Sequence, residues 1–211
     1  MRPTAIWLIR HALVEESARA FLYGSTDVPL CETTLRDQTP MYAALAKRLP
    51  RPTHSAPVHW ACTPLSRTRR TAEANFRAGY PVQPLEVIPG LIEQSMGDWH
   101  GTRHAELPAK LAEPPHPFWP LSGTERPPGG ESMAHVITRT GEALEDIAAR
   151  LPGQDIVIVS HGGTIRAAVA HALKISATNA LHLSIHNLGL TQLEREPQGW
   201  RVVCVNEAPG Y

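Results

Sequence analysis

The chain has 211 residues, a 42% hydrophobic share and 20 acidic against 20 basic side chains, for a formal charge of zero. That balance gives no basis for a nucleic-acid or acidic-membrane partner, and no apolar run reaches the length of a membrane span. Cys31, Cys62 and Cys204 are scattered without a CxxC pair, which fits reduced thiols in a cytoplasmic protein better than a disulfide framework. No secretory signal pattern precedes Arg10-His11, and a single domain over 1–211 is expected.

In chain order, Ala5 to Ile9 is a continuous apolar run, as expected of a strand buried on both faces. A turn-rich loop follows at Tyr23 to Pro29. Leu35, Tyr42, Leu45 and Leu49 then recur at helical spacing, with Pro40 either opening that helix after Thr39 or bending it. Val58 to Cys62 is a second strand, after which Thr63 and Pro64 have the chemistry of an N-cap and first helical residue for a helix to about Ala78. Leu85 to Ile88 is a short strand. Seven prolines between Pro108 and Gly130 exclude long regular structure there, so this stretch reads as a surface excursion within the domain. From Glu131, the residues Met133, Val136, Ile137, Leu144, Ile147 and Leu151 keep one helix face. Asp155 to Ser160 is a third buried strand, and Gly162-Gly163 turns it into another helix. Thr191 to Glu196 and Trp200 to Asn206 close the chain as strands. Strand and helix alternate, which predicts an α/β fold: a three-layer sandwich whose central sheet is mostly parallel, with helices on both faces.

In such a sheet, ligands sit beyond the carboxyl ends of the strands. Arg10 and His11 end the first strand, Thr63 to Arg67 follows the second, and His161 ends the third. A guanidinium can fork onto phosphoryl oxygens, while an imidazole can attack phosphorus or stabilise charge. One such residue at a strand end is commonplace. Three equivalent strand ends so furnished point to phosphoryl transfer through a phosphohistidine.

Five ordered motifs carry a resemblance over nearly the whole chain: Arg10-His11-Ala12, Thr63-Pro64-Leu65-Ser66-Arg67 with Thr71-Ala72, Leu91 to Gly101, Gly130-Glu131-Ser132, and Ser160-His161-Gly162-Gly163. Together they resemble the histidine phosphatase superfamily, in the branch with the phosphoglycerate mutase-like fold, and the Tyr23 to Leu30 stretch is similar to α-ribazole phosphatase-like members. The resemblance implies that His11 is the nucleophile. It implies that Arg10, Arg67 and His161 surround the phosphoryl oxygens, and that Glu93 is the general acid. Gly162 would let backbone approach the phosphate. Ser17 stands at the spacing where many members carry a phosphate-binding asparagine. Ala12 replaces a glycine, and Val14 a common threonine. No cofactor and no metal are implied.

These readings predict a phosphomonoesterase acting on a small phosphorylated metabolite, α-ribazole phosphate being one option. A cofactor-dependent phosphoglycerate mutase is the alternative, and a low-turnover phosphoryl-binding or regulatory protein the second. Assembly stays open, a homodimer included. His182 and His186 are four apart but lack a nearby carboxylate and read as core or surface histidines. Arg67, Arg69 and Arg70 lack aromatic interleaving and read as a phosphate site rather than a nucleic-acid patch. Trp99, Phe118 and Trp119 fit either a substrate mouth or the buried edge of a lid.

Overall fold

The computed structural model describes residues 2–209. Six strands, β1 (Thr4–Arg10), β2 (Val58–Cys62), β3 (Leu85–Val87), β4 (Asp155–Ser160), β5 (Leu190–Glu196) and β6 (Gly199–Glu207), form one sheet in the order β3-β2-β4-β1-β5-β6. β1 to β4 pair in parallel, and β5 runs antiparallel to both its neighbours. The sheet is therefore mixed, with only β5 reversed.

Alternation along the strands divides the core between two faces. Trp7, Ile9, Val157 and Val159 point to one side, where α3 (Thr39–Arg48) and α4 (Ser66–Arg77) contribute Tyr42, Leu45 and Ala72. Ile6, Leu8, Ile156 and Ile158 point to the other, against Leu144 and Ile147 of α5 (Met133–Arg150) and Ile165 and Val169 of α6 (Gly162–Leu173). Each fully buried aliphatic side chain contributes about 1.5–3 kcal/mol. A one-residue slip would send every one of them to the wrong layer, so the burial of both faces fixes the register.

The expected helix around Leu35 to Leu49 is two helices, α2 (Glu32–Asp37) and α3, with Pro40 in the first turn of α3. α4 begins at Ser66, later than the Thr63-Pro64 signal predicts, because Leu65 stays extended with ψ 132°. Its first amide, Ser66 N–H, instead donates to Asp27 in the distant turn-rich loop at 3.0 Å.

The 108–130 excursion holds together without regular hydrogen bonding. Leu107 and Leu121 are buried with Leu22, Met96 and Trp99 in a third apolar cluster. The buried Glu125 carboxylate accepts from the amides of Ala112 and Glu113 at 3.2 and 2.9 Å.

Candidate active site

Sheet register builds the centre of the site. β1 and β4 pair Arg10 with Ser160, so His11 and His161 leave adjacent strands side by side. Their rings lie 5.2 Å apart at 62°. β2 and β4 pair Cys62 with Val159, which brings Thr63 up to His161. There the Thr63 hydroxyl lies 2.9 Å from His161 Nε2.

His11 is held through its ring and through its backbone. Its Nδ1 donates to the Ala12 carbonyl at 2.7 Å, which fixes the tautomer and leaves Nε2 with the free lone pair. The Ala12 amide donates to Thr71 Oγ1 at 3.0 Å, and the Asn187 side-chain amide donates to the His11 carbonyl at 2.8 Å. Burial, followed by the nearby charges of Arg67 and Arg10, holds the His11 pKa well below its ordinary value. His161 is pushed the same way by burial, His11 and the two arginines. Both imidazoles are therefore neutral at pH 7.

Arg67 is completely buried and donates to the carbonyls of Thr26 and Gly24, each at 2.7 Å. Burial lowers its pKa, and Glu93 counteracts the shift. Arg10 donates to the Ile185 carbonyl. The Nε atoms of Arg10 and Arg67 and the Nδ1 of His161 are buried with no protein partner. Buried polar atoms of this kind demand a partner, and these three belong to the residues predicted to grip phosphate.

The Glu93 side chain reaches the N-terminus of α6. Its two carboxylate oxygens accept from Gln94 N–H at 2.9 Å and Gly163 N–H at 3.1 Å. A Cβ on Gly163 would stand 2.4 Å from Glu93 Oε1, so the lack of a side chain at 163 seats the carboxylate. A Cβ on Gly162 would meet Arg10 Nε at 3.3 Å. The loop bearing Glu93 is itself tied down by Arg139, which donates to the Gly90 and Ile92 carbonyls and pairs with Glu131 at 2.7 Å.

A cavity of about 270 Å³ opens above this centre, lined in part by Arg10, Glu93, Gly162 and Asn187. His11, Arg67 and His161 are at most 2% exposed and do not line it. Ser17 is not among the residues lining the cavity and is exposed on the short helix α1 (Glu16–Arg19). Trp119 lines the cavity, Trp99 is buried within the apolar cluster, and Phe118 is 67% exposed. His182 is exposed and faces His116 at 4.6 Å, and His186 is exposed near Asn206. Among the described residues, no three His, Cys, Asp or Glu side chains gather as metal ligands.

Three contributors escaped the sequence reading. Thr63 reads as a helix cap, and Asn187 lies in a loop with no local signal. Arg166 is 7% exposed, its guanidinium 4.3 Å from the Trp119 ring, with Nε donating to the Leu183 carbonyl at 2.8 Å and one terminal nitrogen unpaired. Burial lowers its pKa to about 10. The available signal was an arginine inside the apolar run Ile165 to Ala170, one turn beyond His161-Gly162-Gly163.

Two buried histidines, the buried Arg67 and the half-buried Arg10 at the carboxyl edge of a mixed sheet, beside a carboxylate at a helix N-terminus, make an α/β site suited to phosphoryl groups. The chain belongs to the histidine phosphatase superfamily (branch 1), whose family model matches residues 6–208. It is 29% identical over 179 residues to a metal-independent phosphoserine phosphatase of Arabidopsis thaliana, covering 84% of this chain and 72% of that one. It is 25% identical over 181 residues to an adenosylcobalamin/α-ribazole phosphatase of Salmonella typhimurium, covering 85% of each. The native structure of mycobacterial glucosyl-3-phosphoglycerate phosphatase superimposes with a TM-score of 0.79 at 25% identity, over 98% of this chain and all of that one.

Proposed function

We propose that this protein is a metal-independent phosphomonoesterase that hydrolyses a small phosphorylated metabolite through a phosphohistidine on His11. The observation that carries the reading is the bond from His11 Nδ1 to the Ala12 carbonyl at 2.7 Å, on a ring kept neutral by burial and two arginines. That combination presents Nε2 as an unprotonated nucleophile.

In the first step, the Nε2 lone pair forms the N–P bond while the ester P–O bond breaks. The Glu93 carboxyl gives its proton to the departing alkoxide. As the phosphoryl group becomes planar, its equatorial oxygens gain negative charge, and Arg10, Arg67 and His161 supply donors to them. In the second step, a water oxygen attacks phosphorus, Glu93 takes the water proton, and the N–P bond breaks to release phosphate and restore His11. The relatives that act as phosphatases support hydrolysis as the outcome.

The test is phosphate release without added metal from a panel of phosphomonoesters, α-ribazole phosphate and 3-phosphoglycerate among them, comparing wild type with His11→Ala. Release that disappears in the variant, with acid-labile phosphate trapped on wild type only, is the expected result. Isomerisation of 3-phosphoglycerate without phosphate release would replace hydrolysis with mutase chemistry. Tight phosphate binding with neither product would make the protein a binder.

A further inference from the structure

The cavity above the phosphoryl site has walls of a different character from its floor. Leu13, Val14, Phe21, Leu22, Met96 and Trp119 line it, drawn from loops after β1, the Glu93 loop and the Pro-rich excursion. Its volume of about 270 Å³ is close to the lower end of the roughly 300–1,000 Å³ of small-molecule sites. It can take one ring-sized body beyond the phosphoryl group.

The polar side chains along these walls are few, and several are already engaged. The Asn187 amide donates to His11, and the Gln94 amide donates to the Glu131 carbonyl at 2.7 Å. Glu93 is occupied by two backbone amides. Arg19 and His104 also border the cavity, but both are exposed and belong to its mouth. Gln94 Oε1 is buried without a partner, and the Tyr23 hydroxyl and the Asn187 side-chain oxygen are the other polar atoms the wall has to offer. A hydroxyl-rich leaving group would surrender several hydrogen bonds to water and recover only what these few groups supply against a mostly apolar wall, a costly exchange. An apolar ring would surrender none.

From this we infer that, on the phosphomonoesterase reading above, the substrate is a phosphate ester of an apolar, ring-bearing alcohol, with Phe21 as a specificity-determining contact to that ring. Phosphoserine, glycerol phosphate and phosphoglycerate fit this wall poorly.

The experiment compares kcat/KM for benzyl phosphate with kcat/KM for glycerol 3-phosphate and phosphoserine, all esters of primary alcohols. Matching the leaving-group type keeps the chemical step similar, so the ratio reports the cavity. Each methylene in an apolar pocket changes kcat/KM by roughly 10–200-fold, so wild type is expected to prefer benzyl phosphate by about tenfold or more. Phe21→Ala should bring that ratio down toward one. Because all three esters are measured on one preparation, the ratios do not depend on how much of the variant folds. A wild-type ratio at or below one, with phosphate still released from the polar esters, overturns the inference and leaves the phosphatase reading standing. A high ratio that Phe21→Ala leaves unchanged overturns the placement of the ring against Phe21. No release from any ester removes the phosphatase reading, and this inference with it.

Discussion

Replacing Gly163 with alanine is the most discriminating perturbation the site offers. The added Cβ would lie 2.4 Å from Glu93 Oε1 and 3.2 Å from the carboxyl carbon. Bringing the oxygen out to the 3.0–3.4 Å of tight but tolerable contacts requires a shift of about 0.6–1.0 Å. The side chain of Glu93 yields, because its end is flexible whereas residue 163 sits in the first turn of α6. Stability should fall by only about 0.5–2 kcal/mol, because alanine is favoured over glycine in a helix by about 1 kcal/mol while losing the Gly163 N–H to carboxylate bond costs about 1.5–3 kcal/mol. Activity should move far more. General acid–base catalysis contributes about 10²–10⁴-fold, and a misplacement of about 1 Å can cost on the order of 10²-fold. Gly163→Ala should therefore lower kcat for alkyl phosphates by about 10²-fold, and p-nitrophenyl phosphate should suffer much less because its leaving group needs no proton. Inhibition by vanadate should stay within a few-fold, since the arginines and histidines remain in place. Steady-state kinetics on the two ester types, with circular dichroism to verify folding, decides the matter. Full activity on alkyl phosphates, or equal losses on both ester types, would refute the assignment of Glu93 as the proton donor.

Further predictions concern the groups around Glu93. His11 and His161 are held well below 6.5 in the folded protein, chiefly by burial. The unfolded chain binds protons at these sites below about pH 6.5 and the folded chain does not, so their contribution is intact above that pH and is lost as pH falls toward the folded pKa values. Each should steepen the loss by about 1.4 kcal/mol per pH unit, and His11→Asn should remove one such increment in chemical denaturation; an unchanged slope would contradict it. Thr63→Val removes the hydroxyl beside His161 Nε2 and should cost about 1–3 kcal/mol, with weaker vanadate inhibition, while Thr63→Ser should restore most of both. Arg166→Met keeps the stem but removes the cation over Trp119, a contact worth about 0.5–2 kcal/mol. Substrate KM should rise by up to about tenfold with kcat held, and global stability should change little because the lost charge is buried and incompletely paired. An unaltered KM would mean that Trp119 does not depend on Arg166.

Much of the architecture was readable one element at a time. Val58 to Cys62 and Asp155 to Ser160 are strands over the expected residues, because short, largely apolar runs of that length suit strands buried on both faces. Proline chemistry also carried over: Pro40 occupies the first turn of α3, and the excursion after Pro108 stays irregular. The helix starts were less legible. A cap signal describes what a residue can bond to, and Thr63 has a stronger demand from His161 while Asp27 supplies the α4 amide from across the fold.

The sequence by itself determined which residues end the strands, and therefore that Arg10, His11 and His161 share one edge of the sheet. Backbone periodicity and turn chemistry are local properties, and they suffice for that. Only the tertiary structure decided that His11 and His161 lie 5.2 Å apart, that Ala12 fixes the His11 tautomer, that Asn187 and Arg166 join the site, and that Ser17 does not. Those contacts join segments far apart in the chain, set by sheet register and by the folding of irregular loops over the strand ends. No run of neighbouring residues encodes such distances, because they arise from packing both faces of the sheet at once.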